Sequence, residues 1–243
     1  DKTLSESKVD YISYRSCLEN HKKDLLRHDY VISDNIIGIL DYRPDAIIIG
    51  SFLWKDVLYN KFGDNRISDI DRTLLRECSP LIITNKYVET GTLKEYTNKV
   101  QFGFGCKSKP YKQFKVDKCI TLKPSLNYLD SYSNFFNELK IKTTEDFSKT
   151  SNVALMCRPG LGIITHCVEH SIPLIALYDE NDSSEIVELA GKVEDLSIGF
   201  KQNVNEEFNY NRYSLLKDNS IYMYKHLQKD GYKQIAGYLK SKL

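Results

Sequence analysis

The sequence predicts an α/β fold built on parallel sheets, and three observations carry that expectation. Short apolar runs at 46–49 and 153–156 are continuous rather than alternating, the pattern of strands covered on both faces. Helical segments stand between the strands along the whole chain, as in layered α/β folds. One block, 152–177, reads strand, glycine turn, helix, tight turn and strand, the length of a βαβ unit.

Taken in order, residues 5–27 are polar with thinly spaced apolar positions, as on an exposed helix. Residues 29–34 form a short strand ending in Asp34, and a second strand at 45–51 is introduced by Pro44 and closed by Gly50. An amphipathic segment begins at 52–59. A helix is predicted over 67–77, with Asp69 and Asp71 in its first turns, where the dipole favours negative charge. Pro80 ends it before a strand at 81–84. From 85 to 110 the chain is looser and polar, interrupted by Gly91, Gly103 and Gly105, which suggests a linker over 86–118. The second half restarts with a strand at 118–122, a helix at 128–139 and a strand at 141–144. The βαβ block, a helix at 183–196, a strand at 197–200 and a closing helix or helix pair at 222–243 follow. The domains expected are therefore 1–85, a linker 86–118, and 119–243.

Composition narrows the function classes. At 243 residues the chain holds one large domain or two small ones. Hydrophobic residues make up 41% and charged residues 28%, enough for a core and a soluble surface. The 34 basic and 33 acidic residues leave a net charge of +1, without the basic stripe that nucleic-acid binding needs. A local cluster of Lys107, Lys109, Lys112, Lys115 and Lys118 reads as a solvated loop face. No apolar run approaches the ~20 residues of a transmembrane helix, and no charged start leads into an apolar signal segment. Six dispersed cysteines (Cys17, Cys78, Cys106, Cys119, Cys157 and Cys167) form no C-x-x-C pair, against zinc or redox motifs. They read as reduced thiols of a cytoplasmic protein.

Gly160 and Gly162 follow a buried strand and open a helix, which admits two readings. One is a plain, closely packed strand-to-helix turn. The other is an anion cradle: the unpaired amides of the first helical turn and the helix dipole suit a diphosphate. Arg158, just before the turn, supplies a charge-assisted contact in that second reading. The Walker pattern is absent, and Thr165 stands where a dinucleotide fingerprint has its third glycine.

The segment 157–177, Cys-Arg-Pro-Gly-Leu-Gly-Ile-Ile-Thr-His-Cys-Val-Glu-His-Ser-Ile-Pro-Leu-Ile-Ala-Leu, resembles the donor-binding segment of GT-B glycosyltransferases. Tyr178-Asp-Glu-Asn-Asp182 is similar to the loop that touches the donor sugar there. Residues 31–35 and 49–54 are similar to the late N-terminal domain of those enzymes. The resemblance implies two Rossmann-like parallel-sheet domains, the N-terminal one incomplete, with its first strands upstream of Asp1. It implies that Gly160, Leu161, Gly162 and Ile163 hold the diphosphate, beside the Arg158 contact read from the turn itself. Asp179 and Glu180 would bind sugar hydroxyls, and His166 would stand where many members carry an acidic residue for the ribose.

That resemblance implies transfer of a sugar from a nucleotide-diphosphate donor, a UDP-sugar, to an acceptor hydroxyl, with no metal and no other cofactor. Asp34 is then the base candidate; capping of the turn at Asn35 is its plainer role. His170, before Pro173, reads as a helix-end residue, and Trp54 as packing. Sugar-nucleotide hydrolysis or epimerisation on the same fold, and a non-catalytic nucleotide-sugar-binding domain, are the alternatives. A rival Asp-x-Asp metal motif at Asp69 and Asp71 opens a helix rather than ending a strand.

Overall fold

The computed structural model describes residues 18–62, 66–122, 130–139, 142–144, 152–222 and 224–242. Most of the helix expected over 5–27 lies outside the described residues; within them residues 18–20 are helical, and the turn α1 (Lys22–Leu25) follows. The chain divides into two units, Asp1–Phe102 and Gly103–Leu243.

The first unit carries a wholly parallel sheet in the order β1 (Ile32–Asp34), β2 (Ile47–Ile49), β3 (Ile82–Asn85), β4 (Lys99–Phe102). Its helices are α2 (Trp54–Phe62) and α3 (Arg66–Cys78). Ile48, Ile82 and Ile83 are fully buried in the middle strands, and Ile48 and Ile82 form one cluster with Leu40, Leu53, Leu74 and Leu75. Burying each such side chain contributes about 1.5–3 kcal/mol. The buried Arg43 guanidinium ties the chain before β1 to the turn before β2. It donates to the carbonyls of Leu25, His28 and Asp29 and pairs with Asp45 at 2.7 Å.

The stretch 86–118, expected as a linker, holds a 3-10 turn at Gly91–Glu95 and the strand β4. Its polar sequence hides the strand because Lys99 finds local partners. The ammonium lies 2.8 Å from Glu89 and donates to the carbonyls of Leu93 and Lys94. Gly91 has φ +58, and a Cβ there would meet the Asp56 carboxylate at 2.5 Å, so the position requires glycine twice over.

The second unit has a five-stranded parallel sheet made of β5 (Lys118–Leu122), β6 (Lys142–Thr144), β7 (Val153–Cys157), β8 (Leu174–Tyr178) and β9 (Gly199–Asn203). Their order is β6-β5-β7-β8-β9. Strand order therefore reverses between β5 and β7, and open α/β sheets bind ligands at the carboxyl ends beside such a reversal. The helices are α4 (Asp130–Leu139), α5 (Leu161–His170), α6 (Ser184–Asp195), α7 (Tyr210–Leu215) and α8 (Gly231–Lys242). Every residue of β7 is buried, as the continuous apolar run requires. Helix α5 buries Ile164, Cys167 and Val168, a single stripe at helical spacing. Tyr132, Phe135, Phe136, Met156, Ile175, Leu177 and Phe200 form one apolar cluster.

Asn219, wholly buried, closes this unit from late in the chain. Its amide donates to the carbonyls of Lys112 and Ser171 at 3.0 Å each, and its oxygen accepts from the Phe114 amide at 2.8 Å. Ser171 itself ends α5 in the left-handed region, φ 60.

Candidate functional site

Strand β7 ends at Cys157, the chain leaves the sheet through Arg158-Pro159-Gly160, and α5 begins at Leu161. Gly160 is the N-cap in extended geometry, and no side chain caps the helix. The first intrahelical bond of the turn is Ile164 N–H to the Gly160 carbonyl, 3.0 Å. The amides of Leu161, Gly162 and Ile163 precede it, and such amides have no intrahelical partner. Leu161 and Gly162 are exposed.

A Cβ built at Gly160 or at Gly162 would meet nothing within 4 Å, and neither glycine has a positive φ. Neither backbone strain nor internal packing therefore calls for glycine at either place. What the missing side chains preserve is open space in front of a helix N-terminus. An anion is favoured there by the exposed amides and by roughly half a positive charge from the helix dipole.

Arg158 lies beside this turn, about a quarter exposed. Its guanidinium is 2.9 Å from Asp182 Oδ1, while its Nε is buried without a hydrogen-bond partner. Asp182 is held in turn: Tyr132 Oη and the Asp179 amide, the latter at 3.0 Å, both donate to its Oδ2. Glu185, in the first turn of α6, completes the surroundings. Burial pushes its carboxyl pKa up, and the positive charge of Arg158 pulls it partly back.

Asp179, expected to bind sugar hydroxyls, spends its carboxylate inside the protein. It is 3% exposed and accepts from Ser131 Oγ at 2.6 Å, from Asn205 Nδ2 at 3.0 Å, and from the amide and side chain of Asn181 at 2.8 and 2.9 Å. Burial works against the charge, and these hydrogen bonds outweigh it, holding the pKa below the ordinary carboxylate value. Its role in the fold is to fix the 179–182 loop. Glu180, next along, is exposed and projects from the turn.

His166 sits four residues after Gly162, hence on the same face of α5 one turn further on. Its ring packs 4.4 Å from that of His170. Burial, helped by the neighbouring His170, lowers its pKa to about 4. His170, expected as a plain helix-end residue, has its Nε2 3.4 Å from Lys109 Nζ.

Burial raises the thiols of Cys119 and Cys157 to about 12. The described cysteines form no disulfide. Among the described residues no helix is long and apolar enough to cross a membrane. Asp69 lies within α3, where it pairs with Arg72 at 3.2 Å.

The second-unit elements thus bring together Arg158, Gly160, Leu161, Gly162 and Ile163. Asp182, from the segment similar to a sugar-contacting loop, joins them, with Ser131, Tyr132 and Glu185, which sequence reasoning did not single out. No protein-family model and no curated protein matches the sequence. Solved structures do. The crystal structure of CalG4, the calicheamicin glycosyltransferase, matches with a TM-score of 0.51 and 12% identity, over 91% of this chain and 74% of that one. The fold is of the GT-B glycosyltransferase type. The structure of the glycotransferase of kitacinnamycin is also similar, with a TM-score of 0.49 and 10% identity, over 84% of this chain and 71% of that one.

Within this GT-B fold Asp34 belongs to the first unit. It is exposed at the carboxyl end of β1, and no hydrogen bond or ion pair holds its carboxylate among the described residues. It does not cap the following turn. Instead Asn35 makes that turn itself, with φ 56, a geometry asparagine tolerates. Asn35, Gly50 and Thr84 continue one row across β1, β2 and β3, one step beyond the paired Asp34, Ile49 and Ile83. The Asn35 side chain fills the space a Cβ on Gly50 would need. Its amide atoms and Thr84 Oγ1 are buried without partners. A dipeptide Asp34-Asn35 at a strand end was the sequence signal for this row. The pairing that aligns it with Thr84 was not visible.

Proposed function

We propose that the chain is a glycosyltransferase that holds a nucleotide-diphosphate sugar, a UDP-sugar, at the turn 158–164 and passes the sugar to an acceptor hydroxyl. The observation that carries this reading is the open space at Gly160 and Gly162, which neither packing nor backbone geometry explains. In the transfer, charge develops on the leaving diphosphate. The amides of residues 161–163 and the Arg158 guanidinium supply fixed donors for it, and such preorganised stabilisation usually contributes most to catalysis of this kind. In this reading no metal takes part, so turnover persists in EDTA. Glu180 supplies the exposed acceptor for sugar hydroxyls, and Asp34 the carboxylate for deprotonating the acceptor.

The test is calorimetric titration with UDP and UDP-sugars, alongside hydrogen exchange over 158–166. Binding with slowed exchange there is expected. Gly162→Ala should leave the fold intact, or stabilise it by up to about 1 kcal/mol because a helical glycine is removed. Gly162→Trp should abolish binding with an unchanged circular dichroism spectrum. Nucleotide binding that ignores Gly162→Trp would overturn the assignment.

A second reading, a binding domain without transfer activity, is favoured by Asp34, whose carboxylate no hydrogen bond or ion pair orients among the described residues. Product analysis separates the readings. Sugar appearing on an acceptor supports transfer, free sugar in water alone marks hydrolysis, and bound but unchanged donor marks the binding domain.

A further inference from the structure

A basic cleft of about 230 Å³ opens in the second unit, walled by Lys109, Lys225 and Lys229. It draws Lys109 out of the cluster expected to be a solvated loop face. The rings of Tyr111 and Tyr224 lie against it, stacked with centroids 6.2 Å apart. Both hydroxyls are spent inside the protein, on the carbonyls of Asn219 and Ile198 at 2.8 and 3.2 Å. The two rings therefore back the cleft as apolar packing, and the lysines give it positive charge.

The charges do not balance. Lys109 pairs with Glu169 at 2.5 Å. Lys225 rests its ammonium over the Tyr111 ring, 4.9 Å from the centroid. Among the described residues neither Lys225 nor Lys229 has a carboxylate within ion-pair distance. Asp230, next to Lys229 in the chain, is engaged by the Ser108 amide at 3.2 Å and lies 3.8 Å from Lys233. Burial lowers the Lys229 pKa, with Lys109 adding to the effect and Glu169 opposing it. The carboxyl end of α5, which carries Glu169 and His170, adds roughly half a negative charge. That is too little to offset two ammonium groups without carboxylate partners.

We propose that this cleft is a binding site for a small phosphate-bearing anion, either inorganic diphosphate or a phosphate monoester, separate from the turn at 158–164. The two sites lie at opposite ends of α5, about 12 Å apart along the helix between Leu161 and Glu169. The volume is below the roughly 300–1,000 Å³ typical of sites for drug-sized ligands, which favours a compact anion over a whole nucleotide sugar. The Lys225 and Lys229 ammonium groups, each with three donors, suit the many acceptor oxygens of a phosphate, and Lys109 adds the donors that Glu169 does not engage.

The experiment is calorimetry on Gly162→Trp protein, whose other anion site is blocked, with inorganic diphosphate and glucose 1-phosphate as separate probes. Binding of one or both is expected, weakened at least 10-fold by adding Lys225→Gln and Lys229→Gln. Which probe binds names the source of the phosphate. No binding of either probe, an unchanged affinity after the lysine substitutions, or an equal response to chloride at matched ionic strength would each overturn the proposal. Lysine acetylation of the unsubstituted chain gives a second readout that does not depend on Gly162→Trp. Diphosphate should slow modification of Lys225 and Lys229 relative to the exposed Lys240. Equal modification with and without it would sink the idea even if the variants misfolded.

Discussion

The guanidinium of Arg158 meets the carboxylate of Asp182 at 2.9 Å, with the Asp182 side chain 4% exposed and that of Arg158 27% exposed. One charge of the pair is therefore buried and the other reaches solvent beside the glycine turn. Asp182 also accepts from Tyr132 Oη and from the Asp179 amide. Replacing it with asparagine keeps the shape but removes the counter-charge and mismatches one donor. Asp182→Asn should cost about 2 kcal/mol of stability, below the full penalty for breaking a fully buried pair because Arg158 is partly solvated. Urea unfolding measures the loss; a midpoint within error of the parent would show that the pair adds nothing.

His166 gives the fold a pH dependence of definite sign. Its native pKa is lowered to about 4 from 6.5, first by burial, then by His170 and Lys109, with Glu169 opposing. Between these values the unfolded chain binds a proton that the native chain does not, so stability rises with pH. The contribution is complete above 6.5 and is lost as pH falls through 4. Melting curves from pH 7 to pH 4.5 should show a smaller decline for His166→Gln than for the parent. A parallel decline would place the acid sensitivity elsewhere.

Thr84 tests the row at the ends of β1, β2 and β3. Its Oγ1 is buried without a partner, so Thr84→Val removes a desolvated hydroxyl at nearly constant volume. The variant should be as stable as the parent or up to about 1 kcal/mol more stable. A clear loss in a thermal melt would mean that the hydroxyl has a partner in solution.

The legible parts of the fold were those where burial alone dictates the residue types. Residues 153–157 are apolar and every one is buried, and 174–177 behave in the same way, so strands β7 and β8 announce themselves. Strand β4 does not, because Lys99 and Gln101 read as loop residues. Their placement depends on Glu89, which holds both at 2.8 and 2.6 Å from ten and twelve residues away. The candidate site divides along the same line. The glycine turn is local, so its geometry follows from adjacent residues. The fate of Asp179 was hidden because its partners Ser131 and Asn205 stand 48 and 26 residues off in the chain. A carboxylate after a strand looks the same in sequence whether it faces a ligand or its own protein. Only the tertiary donors decide.

Asn219 has a consequence for how the chain is made. During synthesis, residues 112, 114 and 171 leave the ribosome well before residue 219, and until then their backbone groups bond to water. The second unit can collapse around its sheet earlier, as nascent domains do. The turn at Ser171 stays unlatched until residue 219 has been translated and has left the ribosome. A premature stop codon shortly upstream of position 219 would thus yield a product with all five strands of that sheet and an unfastened joint between α5 and β8, open to proteases that the finished protein resists.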